Sequence, residues 1–362
     1  MKKLIIKRMD KRYFSDKIVE WYQENRRMLP WRQTKDPYKI WLSEVILQQT
    51  RVNQGLPYYL RFTETFPTVT ALANASEQEV LRLWQGLGYY SRARNLHKCA
   101  KVVSKDHHGT FPKTFEELKK LPGIGEYTAA AIASIAHYEA VAVVDGNVFR
   151  VLSRIFGIDT PINTTEGKKV FAELANKLIP ETSPDIYNQA VMEFGAMYCV
   201  PKNPLCAECI FKTQCTAYEK GLQNLLPVKI KGKESRKRYF YYVVIQKGEN
   251  SLLMKKRVEK DIWFGLYDFP LIESTKPIRA DKVIEKTTAL YPIYRVSESV
   301  TVSDLYKHVL THQTIFCKFI IIKTSRNMPA PEKSMKFYSL SKVGDLPKPV
   351  LISKFLKKSY LL

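Results

Sequence analysis

Long apolar stretches are missing from this sequence: no run approaches the ~18 residues a membrane-spanning helix needs. The start, Met1-Lys2-Lys3-Leu4-Ile5-Ile6-Lys7-Arg8, holds only three consecutive apolar residues, too few for a secretory signal. Internal repeats and low-complexity tracts are also absent, which speaks against solenoids and biased tails. Acidic residues are scarce. Against 58 Lys and Arg stand 35 Asp and Glu, a formal net charge of +23 over 362 residues. So large an excess repels itself and points to a polyanionic partner. Cysteine is sparse as well, six in all, yet four of them, Cys199, Cys206, Cys209 and Cys215, fall within 17 residues. The other two, Cys99 and Cys317, stand alone. Clustered cysteines in a reducing compartment suggest metal rather than disulfides. What remains is the composition of a globular protein, 45% hydrophobic and 12% aromatic. A cytoplasmic, nucleic-acid-facing chain of two domains is expected, at roughly 150 residues per domain.

Helical periodicity fills residues 1–222. Glu77–Trp84, Glu116–Lys120, Tyr127–His137 and Val148–Ile155 carry apolar residues at i, i+3, i+4 spacing. Ser76 and Thr114 precede acidic first turns and are expected as N-caps. Residues 223–235 are expected to be a basic linker, and Val228–Arg238 holds six basic residues in eleven. Beyond it, Tyr239–Ile245, Val296–Val302 and Ile315–Ile322 have the β-branched and aromatic content of strands, so 236–362 is expected to form a smaller α/β domain.

Two motifs and two single carboxylates carry chemistry. Leu121-Pro122-Gly123-Ile124-Gly125 precedes a helix starting near Glu126. Glycines at 123 and 125 allow a tight turn whose backbone N–H groups, with the helix's positive end, can cradle a phosphate; an ordinary packing corner is the plainer alternative. The cysteine spacing is C-x6-C-x2-C-x5-C. It can hold an iron–sulfur cluster or zinc, or consist of unliganded core cysteines. Structural zinc sites usually offer two short-spaced pairs, and here Cys206/Cys209 is the only one, which favours iron–sulfur. Finally, Glu44 lies in an amphipathic helical pattern among Ile40, Trp41 and Leu47. Desolvation there raises a carboxyl pKa, as a general acid requires. Asp145, after the apolar run Val141–Val144, suits an N-cap.

The hairpin, the run Val143-Val144-Asp145-Gly146-Asn147-Val148-Phe149-Arg150-Val151 and the cysteine spacing together resemble the DNA glycosylases related to endonuclease III. Trp41-Leu42-Ser43-Glu44-Val45-Ile46-Leu47-Gln48-Gln49-Thr50 is similar to the W-x-S-E-x-x-L-Q-Q-T signature of the adenine DNA glycosylases, the MutY family. Leu29-Pro30-Trp31-Arg32, Asp36-Pro37-Tyr38 and Gln85–Arg92 match that family too. The likeness is strong over about 15–222 and weaker beyond. It implies a mostly α helix-hairpin-helix glycosylase domain with an iron–sulfur loop, followed by a C-terminal α/β Nudix-like domain that reads the lesion. It further implies a [4Fe–4S] cluster on Cys199, Cys206, Cys209 and Cys215, acting as a structural staple.

By the same resemblance, Glu44 protonates adenine and activates water, while Asp145 stabilises the oxocarbenium-like sugar. Tyr127 and Asn147 line their pocket and position Asp145 and the sugar-phosphate. Arg27, Trp31, Leu47 and Gln189 surround the flipped adenine. Gln49, Thr50, Leu87 and Tyr89 fill the gap in the duplex and touch the orphaned guanine lesion. Relatives with lyase activity carry Lys where this chain has Tyr127, which cannot form a Schiff base. Leu310-Thr311-His312 stands where the family has F-S-H, so Thr311 and His312 are expected at 8-oxoguanine. No Nudix box is present, and pyrophosphatase activity is not expected. The implied substrate is double-stranded DNA with adenine opposite 8-oxoguanine or guanine, acted on by a nucleoid-associated monomer. The rival readings are a glycosylase with lyase activity or another base specificity, and a non-catalytic DNA-binding module.

Overall fold

The computed structural model describes residues 9–232, 234–290, 299–324, 330 and 332–359. The chain divides into two compact units, one of residues 1–74 and 95–231, the other of 75–94 and 232–362. A twenty-residue stretch of the helical half thus groups with the C-terminal sheet, so the units do not follow chain order. Linker residue Lys233 and positions 296–298 of the expected strand lie outside the described residues.

In the first unit the helices are α1 (Lys11–Asn25), α2 (Pro37–Leu47), α3 (Val52–Thr65) and α4 (Val69–Asn74). After α5 (Glu77–Leu83), which belongs to the second unit, α6 (Ser91–Asp106) runs from one unit into the other. Then follow α7 (Phe115–Leu118), α8 (Glu126–His137), α9 (Gly146–Phe156), α10 (Thr165–Leu178), α11 (Pro184–Met197) and α12 (Thr216–Glu219). Local chemistry sets their starts. Thr114 and Asp145 cap α7 and α9 through their side chains, and Asp36 with Pro37 opens α2. The core joins α1, α9, α10 and α11, with Phe14, Phe171, Phe194 and Phe211 fully buried in it. The helix bearing Glu44 departs from the expected amphipathic pattern. In α2 every residue from Ile40 to Ile46 is buried, because the helix is apolar on nearly all its faces.

Two close approaches bring the site together. A Cβ on Gly195 of α11 would lie 2.7 Å from Asn147 Cβ and 3.0 Å from its carbonyl oxygen, so only glycine lets α11 approach the start of α9. Gly123 has φ +75°, and a Cβ there would meet Asn95 at 2.6 Å. The turn between α7 and α8 therefore needs glycine at that point.

The second unit is built on β1 (Arg236–Lys247), β2 (Ser251–Lys256), β3 (Tyr267–Asp268) and β4 (Leu271–Ser274), then α13 (Ala280–Leu290). It continues with β5 (Ser299–Val302), β6 (Tyr306–Val309), β7 (Gln313–Thr324), β8 (Met335–Ser339), α14 (Leu340–Asp345) and α15 (Val350–Lys358). The sheet order is β3-β2-β1-β7-β5, with β4 on β1, β6 on β7 and β8 on β2. Its spine is the parallel pair β1–β7, in register from Arg236↔Gln313 to Lys247↔Thr324. Thr311 and His312 form the exposed tip of the β6–β7 hairpin. From the same unit's 75–94 stretch, α5 starts at a Ser76–Glu79 capping box.

Candidate active site

Glu44, Asp145, Tyr127 and Asn147 line one cavity of about 170 Å³, together with Arg27, Trp31, Leu47, Thr50 and Gln189. Most of the expected pocket residues thus converge. Gln49 does not line this cavity; it is exposed at the end of α2 with φ +56°. Leu87 and Tyr89 belong to the second unit, where Leu87 is buried and Tyr89 exposed.

The two carboxylates sit in unlike surroundings. Burial pushes the Glu44 carboxyl up to about 7, the charge of Asp145 adds to this, and a hydrogen bond donated by the Tyr127 hydroxyl works against it. Asp145 caps α9, its Oδ1 accepting from the N–H groups of Asn147 and Val148 at 2.8 Å each. Its Oδ2 accepts from Asn147 Nδ2 at 2.8 Å. Burial raises the Asp145 pKa, while these bonds and the Arg150 guanidinium favour the anion. Arg150 also donates to Asn147 Oδ1 at 2.8 Å and to the Cys199 carbonyl at 2.7 Å, tying the start of α9 to the cysteine loop. The expectation that both Tyr127 and Asn147 hold Asp145 therefore separates: Asn147 grips Asp145, and Tyr127 grips Glu44.

Sequence reasoning assigns no role to Glu193 or Arg32, yet both line this cavity. Glu193 accepts from Arg27 Nη2 at 2.6 Å and from Arg32 Nη1 and Nη2 at 2.7 and 2.6 Å. Despite its burial, those guanidiniums hold its carboxyl at about 2. The helical spacing of Glu193 from Gln189 was the available signal. Gln189 is itself engaged, accepting from Tyr22 at 3.3 Å and donating to the Asp185 carbonyl at 3.1 Å.

At the hairpin, Gly123 and Gly125 are exposed, and the space around a Cβ on Gly125 is open. The four clustered cysteines ring a second cavity with Arg154, which donates to Cys199 Sγ at 3.5 Å. The N–H of Phe211 points at Cys209 Sγ at 3.4 Å. All six cysteines are free thiols. Among the described residues, no three His, Cys, Asp or Glu side chains close around a single ion. Cys99 and Cys317 are fully buried and far from this loop in sequence. In the second unit, Thr311 and His312 line a cavity of about 310 Å³ with Tyr89 and Trp263. The Tyr89 and Thr311 hydroxyls are hydrogen-bonded to each other. Among the described residues, no helix is long and apolar enough to cross a membrane.

The helical pocket, the capped Asp145 and the glycine hairpin suit a DNA glycosylase of the helix-hairpin-helix type, and comparison with known proteins bears this class out. A family model described as HhH-GPD superfamily base excision DNA repair protein matches residues 42–181, and a NUDIX domain model matches 241–358. The chain belongs to the adenine DNA glycosylase family. It is 33% identical to the adenine DNA glycosylase of Buchnera aphidicola subsp. Schizaphis graminum, over 93% of this chain and 96% of that one. To the adenine DNA glycosylase of Homo sapiens it is 38% identical, over 76% of this chain and 53% of that one. Among solved structures, a thermostable thymine-DNA glycosylase matches 58% of this chain and 97% of its own, with TM-score 0.54 and 31% identity. A non-covalent endonuclease III–DNA complex matches in fold, with TM-score 0.51 and 22% identity, over 59% of this chain and 99% of that one.

Proposed function

We propose that the protein is a monofunctional, monomeric glycosylase that removes adenine opposite 8-oxoguanine or guanine in double-stranded DNA. The observation that carries this reading is a pair of carboxylates in unlike surroundings on one cavity. Glu44 has its pKa raised to about 7, while Asp145 is clasped by three hydrogen bonds. Two carboxylates whose environments divide them into acid and anion suit cleavage of a glycosidic bond. Both are recessed in the protein, so the target base must leave the stack to meet them.

Glu44 donates its proton to adenine N7. The C1′–N9 bond breaks with its electron pair going to the base, which departs neutral. The Asp145 carboxylate stabilises the resulting oxocarbenium ion, with Asn147 fixing its orientation. The Glu44 carboxylate then takes a proton from water as that water adds to C1′, which restores the acid. Tyr127 holds Glu44 by a hydrogen bond and offers no amine, so no Schiff base forms with the sugar. Arg27, Arg32 and Glu193 give the pocket a fixed polar wall, and Trp31 and Leu47 its apolar one. The exposed turn glycines Gly123 and Gly125, with the start of α8, offer a phosphate seat.

The cysteine loop fits a [4Fe–4S] cluster. The loop's four sulfurs ring one cavity and do not close around a single ion, an arrangement that would suit a cluster with one thiolate per iron better than a lone zinc. Cys199, Cys206, Cys209 and Cys215 are its proposed ligands. When bound it supplies shape and rigidity to the loop. Duplexes holding A:8-oxoguanine, A:G or T:G, incubated with and without later alkali, test the proposal. Base release from the two adenine duplexes only, with strand breaks only after alkali, is expected. Release from T:G alone would overturn it.

A further inference from the structure

The loop carrying Leu87 and Tyr89 has an unusual backbone. Gly86, Gly88 and Tyr89 all have positive φ, +108°, +74° and +47°. The two glycines take such angles freely, but Tyr89 is a side-chain-bearing residue in the left-handed region and needs its surroundings to hold it there. Part of the hold is local: Trp84 Nε1 donates to the Gly88 carbonyl at 3.0 Å, and Arg92 lies over the Trp84 and Tyr89 rings. A further hold comes from Lys348, more than 250 positions away. The Lys348 N–H donates to Gln85 Oε1 at 3.2 Å, and the Lys348 carbonyl accepts from the Tyr90 hydroxyl at 3.3 Å. Both backbone groups of Lys348 are thus taken by the residues flanking the loop. Gln85 Nε2 also donates to Ser353 Oγ of α15 at 3.2 Å. Lys348 is fixed in turn. Its ammonium, with the residue only 2% exposed, donates to the carbonyls of Val343, Gly344 and Leu346 at 2.7, 3.0 and 2.9 Å. At its far side the loop meets the lesion hairpin through the Tyr89–Thr311 hydrogen bond.

We propose that Gln85 and Lys348 are positioning residues for lesion choice: they clamp the 86–89 loop so that Tyr89 and the Thr311 hairpin meet DNA as one body. Neither residue need touch DNA. This rests on the adenine–8-oxoguanine reading above and assigns the discrimination to a joint, where the resemblance supplies only contact residues. An apolar core contact would hold the loop's position equally well. What the polar clamp adds is direction, because Gln85 can satisfy Lys348 and Ser353 together in one orientation only.

The test uses the full-length enzyme and single-turnover base release from A:8-oxoguanine and A:G duplexes. Gln85→Ala, which removes the hydrogen bonds to Lys348 and Ser353, should lower the 8-oxoguanine preference at least roughly fivefold, the worth of one net hydrogen bond, with the A:G rate within about twofold of wild type. Gln85→Glu, which keeps the acceptor for the Lys348 N–H, should retain most of the preference. Combining Gln85→Ala with Thr311→Ala should give less than the product of the single effects, since both act through the same hairpin. An unchanged preference in Gln85→Ala, equal losses on both duplexes, or strictly multiplicative effects in the double variant would each overturn the clamp. A wild-type enzyme with no preference to lose would instead refute the substrate reading.

Discussion

The pocket makes the Glu44 anion costly, which favours the protonated acid that the proposed mechanism needs. Its pKa is pushed up to about 7, so base release should fall about tenfold per pH unit above that value. The Tyr127 hydroxyl lowers that pKa by favouring the carboxylate, so Tyr127→Phe should move the falling limb of the pH–rate profile to higher pH. A limb that stays in place or moves down would contradict the assigned partner. The same shift enters stability. The folded chain holds the Glu44 proton more tightly than the unfolded one. The stabilisation is therefore complete below the ordinary glutamate pKa and is lost as pH rises through about 7. Glu44→Gln removes that loss. It should match wild type near pH 4 and exceed it at pH 8, by on the order of 3 kcal/mol in urea titrations. Sequence disclosed the types of these residues and their apolar neighbours. It did not disclose their pairing, because Tyr127 and Glu44 meet across 83 positions of chain and nothing local encodes that contact.

At the scale of elements, what was legible followed from short-range rules. Capping at Ser76, Thr114 and Asp145 appears as expected, since a cap and its N–H partners lie within three residues of each other. The hairpin glycines show their reason in the Gly123 φ and its contact with Asn95. Glu193 escaped notice because its meaning lies in two arginines more than 160 residues away. The cysteine loop gives the element-level prediction. Anaerobically isolated protein should contain about four irons. Serine at Cys206 or Cys209 should lower that content, and alanine at Cys99 should not. Stoichiometric zinc without iron would contradict the cluster. Arg150 bridges the Cys199 carbonyl and Asn147, so loss of the loop's order should also lower base release.

Over the whole molecule, the excess of 23 positive charges should make duplex affinity fall steeply with salt, as phosphate contacts release counterions. The division into units was the least legible feature. Helical periodicity places Glu77–Trp84 in a helix but does not say that Arg82 will pair with Asp345 at 2.8 Å, in the C-terminal part of the chain. Deletion after about residue 225 therefore removes the partners of 75–94 as well as the hairpin carrying Thr311. We expect the truncated chain to keep adenine removal from A:G and to lose most of its preference for 8-oxoguanine. Equal preference in full-length and truncated protein would place lesion reading wholly outside the second unit. The central claim, one acid and one anion sharing a cavity, is tested most directly by single-turnover base release with Glu44→Gln on an A:8-oxoguanine duplex. The account predicts release lowered by at least about two orders of magnitude, with duplex binding nearly intact. Wild-type release by Glu44→Gln would contradict it.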